Sequence, residues 1–141
     1  LASLTEVDLS SSYGGTLSLP ALTSYTGNNS ITAVGGGVLT LGGLQNLASS
    51  TNIVAQDSGS TINLPALTSF SDDTSDSAQS ILNAYGGVIS ADNLASLTEV
   101  DLSSSYGGTL SLPALTSYTG NNSITAVGGG VLTLGGLQNL A

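Results

Sequence analysis

Gly14-Gly15-Thr16-Leu17-Ser18-Leu19-Pro20-Ala21-Leu22-Thr23-Ser24-Tyr25 is the stretch whose reading decides the fold. A Gly corner opens it, an alternating Leu-x-Leu follows, Pro20 turns the chain, and a second apolar pair is spaced Leu-x-x-Tyr. Alternation at i and i+2 puts Leu17 and Leu19 on one face of an extended segment. The same grammar returns over residues 37–47 and 61–70, and three more times before the end.

Working outward, the chain is a repeat inside a repeat. Residues 1–48 recur without one change as residues 94–141, an offset of 93. Divergent repeats drift, so such identity points to recent duplication, homogenisation of an array, or design. Aligning the second apolar residue of each alternating pair gives Leu19, Leu41, Leu64, Ala91, Leu112 and Leu134, spaced 22, 23, 27, 21 and 22 apart. The 93-residue block therefore holds four units.

Each unit carries three short apolar pairs. The first has Val7 and Leu9, Leu17 and Leu19, then Leu22 and Tyr25; the second has Ile31 and Ala33, Leu39 and Leu41, then Leu44 and Leu47. Apolar residues do not recur at helical spacing over any long window, and Gly or Pro interrupts every ten residues or so. A short strand with one inward face cannot bury that face alone. Stacking successive units buries a continuous column and pairs each strand with its equivalents above and below.

The expected fold is all-β: a single-stranded β-solenoid (β-helix) of about six coils of 21–27 residues, with three short strands per coil and one domain over 1–141. At about 4.8 Å per coil the rod is roughly 29 Å long. Leu17, Leu39, Ile62, Ile89, Leu110 and Leu132 should form one rung ladder, and the excess between Ser71 and Ser80 should bulge outward as a loop. The chain starts on Leu1 without Met and begins and ends mid-coil, which reads as an excerpt of a longer array.

Composition narrows the function classes. There is no Lys, Arg or His against nine acidic residues, a formal charge of −9. Nucleic-acid binding depends on phosphate-neutralising cations, so no nucleic-acid partner is expected. Anionic membranes are excluded as docking surfaces for the same reason, and no apolar run reaches the roughly 18 residues of a membrane helix. Cys is absent, so no disulfide or thiolate-metal framework exists.

The segment Leu17-x-Leu19-Pro20-x-Leu22-x-x-Tyr25, with its copies at 62–70 and 110–118, resembles bacterial surface leucine-rich repeats with their I-x-I-P-x-x-V-x-x-I core. It is also similar to the L-P-x-L units of receptor L domains and fungal cell-wall proteins. The resemblance implies an extracellular, cell-surface, right-handed solenoid used for adhesion or wall architecture. The chain departs from those families in lacking their Asn ladder, helical face, and Ala-Phe and Cys positions.

Candidate chemistry is sparse. Ser is plentiful, but no His or Lys can act as its base, so nucleophilic catalysis lacks its first requirement and no enzyme is expected. Asp72, Asp73 and Asp76 form the one dense carboxylate group; Ca²⁺ takes such oxygens, making this the candidate metal site, while charge for solubility is the plainer reading. No other cofactor is expected. Asn28-Asn29-Ser30 and Asn121-Asn122-Ser123 fit the glycosylation sequon.

Two surface features remain. The outward positions Thr16, Val38, Thr61, Val88, Thr109 and Val131, beside Ser18, Thr40, Asn63, Ser90, Ser111 and Thr133, form an uncharged face of small residues. It suits lateral packing or, by its Thr ranks, ice binding; β-propensity alone also produces it. Tyr13, Tyr85 and Tyr106, just before Gly corners, are the aromatics with no place inside. The resulting expectation is a stiff rod for a surface fibre, sheath or adhesin stalk, self-associating end to end or side by side. The alternative is a module binding a surface glycan or protein.

Overall fold

The computed structural model describes residues 1–72, 79–120 and 122–140. Within them the chain is a β-solenoid of about six coils, each contributing one short strand to each of three faces. The first face stacks Leu9–Ser12, Asn29–Val34, Thr51–Gln56, Ser80–Tyr85, Val100–Ser105 and Ile124–Ala126. The second stacks Thr16–Ser18, Val38–Thr40, Thr61–Asn63, Val88–Ser90, Thr109–Leu112 and Val131–Leu134. On the third, Ser3–Thr5 pairs with Ser24–Thr26, and a separate run joins Asn46–Ala48, Ser69–Ser71, Ser96–Thr98, Ser117–Thr119 and Asn139–Leu140. All strand pairings are parallel, as stacked coils of one winding chain require.

The rung ladder expected on the second face is present. Leu17 pairs with Leu39, Leu39 with Ile62, Ile62 with Ile89, Ile89 with Leu110, and Leu110 with Leu132. The four interior members are fully buried, while Leu17 and Leu132 at the two ends are partly exposed. The third face carries Leu47, Phe70, Leu97 and Tyr118 in register. Each buried Leu or Ile contributes about 1.5–3 kcal/mol from water exclusion, and together they form one continuous column.

The first face differs from the sequence reading at one point. Val7 and Leu9 do not sit level with Ile31 and Ala33; Leu9 pairs with Ile31, and Ser11 pairs with Ala33. In the second copy Leu102 pairs with Leu82, Ser104 with Ala84, and Val100 with Ser80. The inward residues of these coils are thus Val, Leu and Ser, with Val100 fully buried and Val7, on the first coil, open to water. Serine is tolerated in that small-residue rung because its hydroxyl has a backbone acceptor: Ser11 Oγ donates to Gly15 O and Ser104 Oγ to Gly108 O, each at 2.7 Å.

Corners explain the glycines. At the first-to-second corner, Tyr13, Gly35, Asp57, Gly86, Tyr106 and Gly128 all have positive φ, between 49° and 79°. Just beyond, at Gly108, a Cβ would lie 2.1 Å from the Ala84 carbonyl oxygen of the coil beneath, so a side chain there is excluded. Coil-to-coil spacing at this corner is set by backbone touching backbone.

The longest coil keeps its rungs: Ile53 pairs with Leu82, and Phe70 with Leu97. Its surplus therefore lies between the third and first faces, and Asp72 and Ser80 bracket it. Asp72 is buried; its Oδ2 accepts from the Ser80 N–H at 2.6 Å and its Oδ1 from Ser50 Oγ at 2.8 Å. The outward loop expected there falls on residues 73–78, outside the described residues.

Candidate functional site

Three surfaces are available to act, and each is built by the stacking of coils. The second face presents its outward residues as two parallel ranks in the expected order. Thr16, Val38 and Thr61 are level neighbours, as are Val88, Thr109 and Val131. Ser18, Thr40 and Asn63 make the second rank, continued by Ser90, Ser111 and Thr133. Asn63 Nδ2 donates to Thr40 Oγ1 at 3.3 Å, so part of the second rank's hydrogen-bonding capacity is turned inward along the face. Thr and Val alternate in the first rank, which makes the face neither a hydroxyl array nor an apolar patch.

The corner between the third and first faces is polar. Asp8, Asn28, Ser30, Asn52 and Gln79 line a shallow groove of about 310 Å³ there. Asp8 Oδ1 accepts the Ser30 N–H at 3.0 Å, and Asp101 Oδ1 accepts the Ser123 N–H at 2.7 Å. These carboxylates satisfy a backbone donor of the next coil. Tyr25 and Tyr118 close the same corner from inside. The Tyr25 hydroxyl bonds the Val7 carbonyl and lies 3.2 Å from Ser30 O; that of Tyr118 lies 2.5 Å from Val100 O and 3.2 Å from Ser123 O. Burial first, then the nearby Asp8 or Asp101 carboxylate, holds each phenol well above its ordinary pKa.

Of the candidate metal ligands, Asp72 is turned into the wall of the solenoid, and Asp73 and Asp76 lie outside the described residues. Among the described residues no three carboxylates converge. Of the sequon residues, Asn28 is exposed, whereas Asn29 is buried and donates to Gly27 O at 2.8 Å. Asn121 is outside the described residues.

The third surface is the edge where the first face turns into the second. Tyr85 ends its strand level with Gln56 below and Ser105 above. Tyr106 follows Ser105 at the corner, and the two rings meet at 4.5 Å between centroids, tilted by 42°. Tyr106 is 69 % exposed and Tyr13, its counterpart in the first copy, 91 %. Tyr85's phenol is raised above its ordinary pKa chiefly by a hydrogen bond with Tyr106, with burial and the charges of Tyr106 and Asp57 adding.

Gln56 and Asp57 were not singled out in the sequence, although a signal was there. Ile53 to Ile62 is nine residues and Leu82 to Ile89 is seven, where the other corners take eight. Asp57 and Tyr85 themselves keep the common register, and the change in length falls after them. Comparison with protein families, with characterised proteins and with solved structures yields no match for this chain.

Proposed function

We propose that this chain is a structural segment of an extracellular repeat protein, a stiff rod serving a surface fibre, sheath or adhesin stalk. The observation that carries this reading is the double use of one sequence. Residues 1–48 and 94–141 wind into the same rungs although one copy sits at the start of the stack and the other at its end. A coil that tolerates different neighbours can be added or removed without redesign, which suits a protein whose length is the useful variable.

Self-association is part of this reading. In the last described coil Ile124 and Leu140 are exposed, whereas their equivalents one coil below, Leu102 and Tyr118, are fully buried, so a further coil stacked there would cover them. The second face, flat and without charged side chains, suits side-by-side contact. The likeness of the Leu-x-Leu-Pro units to bacterial and fungal surface proteins supports an extracellular, cell-surface location.

Light scattering across a concentration series, with electron microscopy of the same samples, tests the assembly. Rods several times longer than the roughly 29 Å of one chain are expected. A strictly monomeric state at every concentration would sink the proposal.

A further inference from the structure

We propose that Tyr85 and Tyr106, with Gln56 and Asp57 on the coil beneath, form a binding site for a neutral β-linked polysaccharide.

The first argument is conformational. Tyr106 has φ of +52° and Tyr13 of +49°, a region where a bulky side chain is strained. Other coils hold this corner position with Gly35, Asp57, Gly86 and Gly128. The fold accepts glycine here, so Tyr106 is retained at a cost in stability, with its ring mostly in water. Strain kept at an exposed aromatic points to a surface that is used.

The second argument is chemical. A tyrosine face is an apolar platform with a polar tip, the counterpart of a pyranose ring, whose C–H face stacks while its hydroxyls reach outward. Hydroxyl recognition needs groups that donate and accept at once. Gln56 supplies an amide and Asp57 a carboxylate, both exposed, and neither side chain has a hydrogen-bond partner among the described residues. Gln56 is level with Tyr85 in the ladder, and the Asp57 N–H donates to Tyr85 O at 2.9 Å, so all four residues share one edge.

Charge sets the ligand class. With no cation in the chain and a net charge of −9, a uronate, sulfate or phosphate group would meet only repulsion. A neutral glycan has no such barrier. β-1,4-linked glycans present their ring faces along a flat ribbon, which an exposed edge can meet, whereas a coiled α-glucan cannot lie along it.

The two copies supply an internal control. Tyr106 meets the Tyr85 ring, whereas among the described residues Tyr13 has no ring contact and carries Gly35 on the coil above. Among the described residues the two-ring platform is the Tyr85–Tyr106 corner.

The test is depletion binding of the full chain to microcrystalline cellulose and to chitin, with alginate as the anionic control. The wild-type chain should be retained on cellulose or chitin and not on alginate. Tyr106→Gly should cut retention about tenfold while raising the Tm, so that the loss cannot be assigned to unfolding. Gln56→Ala should cut it about threefold, and Tyr13→Gly should leave it unchanged. No retention on either neutral glycan, or retention that survives Tyr106→Gly combined with Tyr85→Ala, overturns the proposal. The result is independent of the rod reading, since a monomer that binds cellulose satisfies one and not the other.

Discussion

Residues 1–48 and 94–141 are the same sequence in two surroundings, and they differ in everything a neighbour supplies. Ile31 is fully buried and Ile124, its copy, is 43 % exposed; Leu47 is 1 % exposed and Leu140 is 67 %. The earlier coil of the pair shows the reverse: Val7 and Leu17 are open to water, whereas Val100 and Leu110 are fully buried. Strand lengths follow. Asn29–Val34 has six residues and its copy Ile124–Ala126 three, while Leu9–Ser12 has four and its copy Val100–Ser105 six. On the first face a strand paired on both sides is long and dry; one paired on a single side is short and wet.

Much of what lies within one copy differs little. Glu6 at 53° and Glu99 at 57°, and Gly14 at 77° and Gly107 at 76°, agree to a few degrees, whereas in the last coil Gly136 is left-handed at 85° and its copy Gly43 is not. The serine-to-glycine and aspartate-to-serine hydrogen bonds recur in both copies. Most local geometry is thus written in the coil, and burial is written in the stack.

The largest break in this comparison should come from core truncation. Ile31→Ala, with a coil on either side, should cost about 4 kcal/mol, as a buried methylene loss plus an unfilled cavity does. Ile124→Ala should cost about 1 kcal/mol, because its side chain is already half in water. Urea midpoints of the two variants measure the difference. Equal shifts would mean that the last coil is covered in solution, which would itself point to end-to-end stacking.

Next in size is the glycine corner. Gly108→Ala drives a methyl to 2.1 Å from the Ala84 carbonyl and should cost about 3 kcal/mol by forcing two coils apart. At the identical position of the first copy, Gly15, the nearest atom is the Ser12 carbonyl of its own coil at 2.9 Å. Gly15→Ala should cost about 1 kcal/mol. A thermal melt of each variant is sufficient to compare them.

Smallest, and expected to be the same in both copies, is removal of a phenol hydroxyl. Tyr25→Phe and Tyr118→Phe each remove the hydroxyl donor that reaches the Val7 or Val100 carbonyl of their own copy and should cost about 1–2 kcal/mol. The ring itself is not at issue, since Phe70 occupies this ladder in the third coil. Both phenols have a raised folded-state pKa, so the neutral form is favoured by folding. That stability is complete below the ordinary value of 10.0 and is lost as pH rises above it. The wild type should therefore lose stability more steeply above pH 10 than the double Phe variant, which denaturation at pH 9 and pH 11 will read.

Much of this was legible in the residues. Leu-x-Leu alternation named the second face and its ladder, and the Leu-x-x-Tyr pair named the inward residues of the third, whose strand pairing breaks between Ser24–Thr26 and Asn46–Ala48. The first face was legible only in part. Val7 reads as a core partner of Leu9, as its buried copy Val100 is of Leu102, but Ser11 does not, since a serine is not read as an inward residue. Only the Gly15 carbonyl, waiting 2.7 Å away, makes Ser11 acceptable there. Asp72 misled in the same way: an acidic residue beside Asp73 suggests a solvated or metal-binding loop, whereas its burial depends on Ser50, one coil below.

The sequence by itself determined the coil: three short strands, their corner residues, most of their inward side chains, and a net charge of −9 without a Lys, Arg or His. Those are properties of residue type and spacing over some twenty positions, and chirality and sterics act at that range. Only the tertiary structure decided which coil edges are covered, that Asp72 is a buried acceptor, and that Tyr85 and Tyr106 meet over Gln56 and Asp57. Each of these joins residues that the winding of the chain brings together one coil apart.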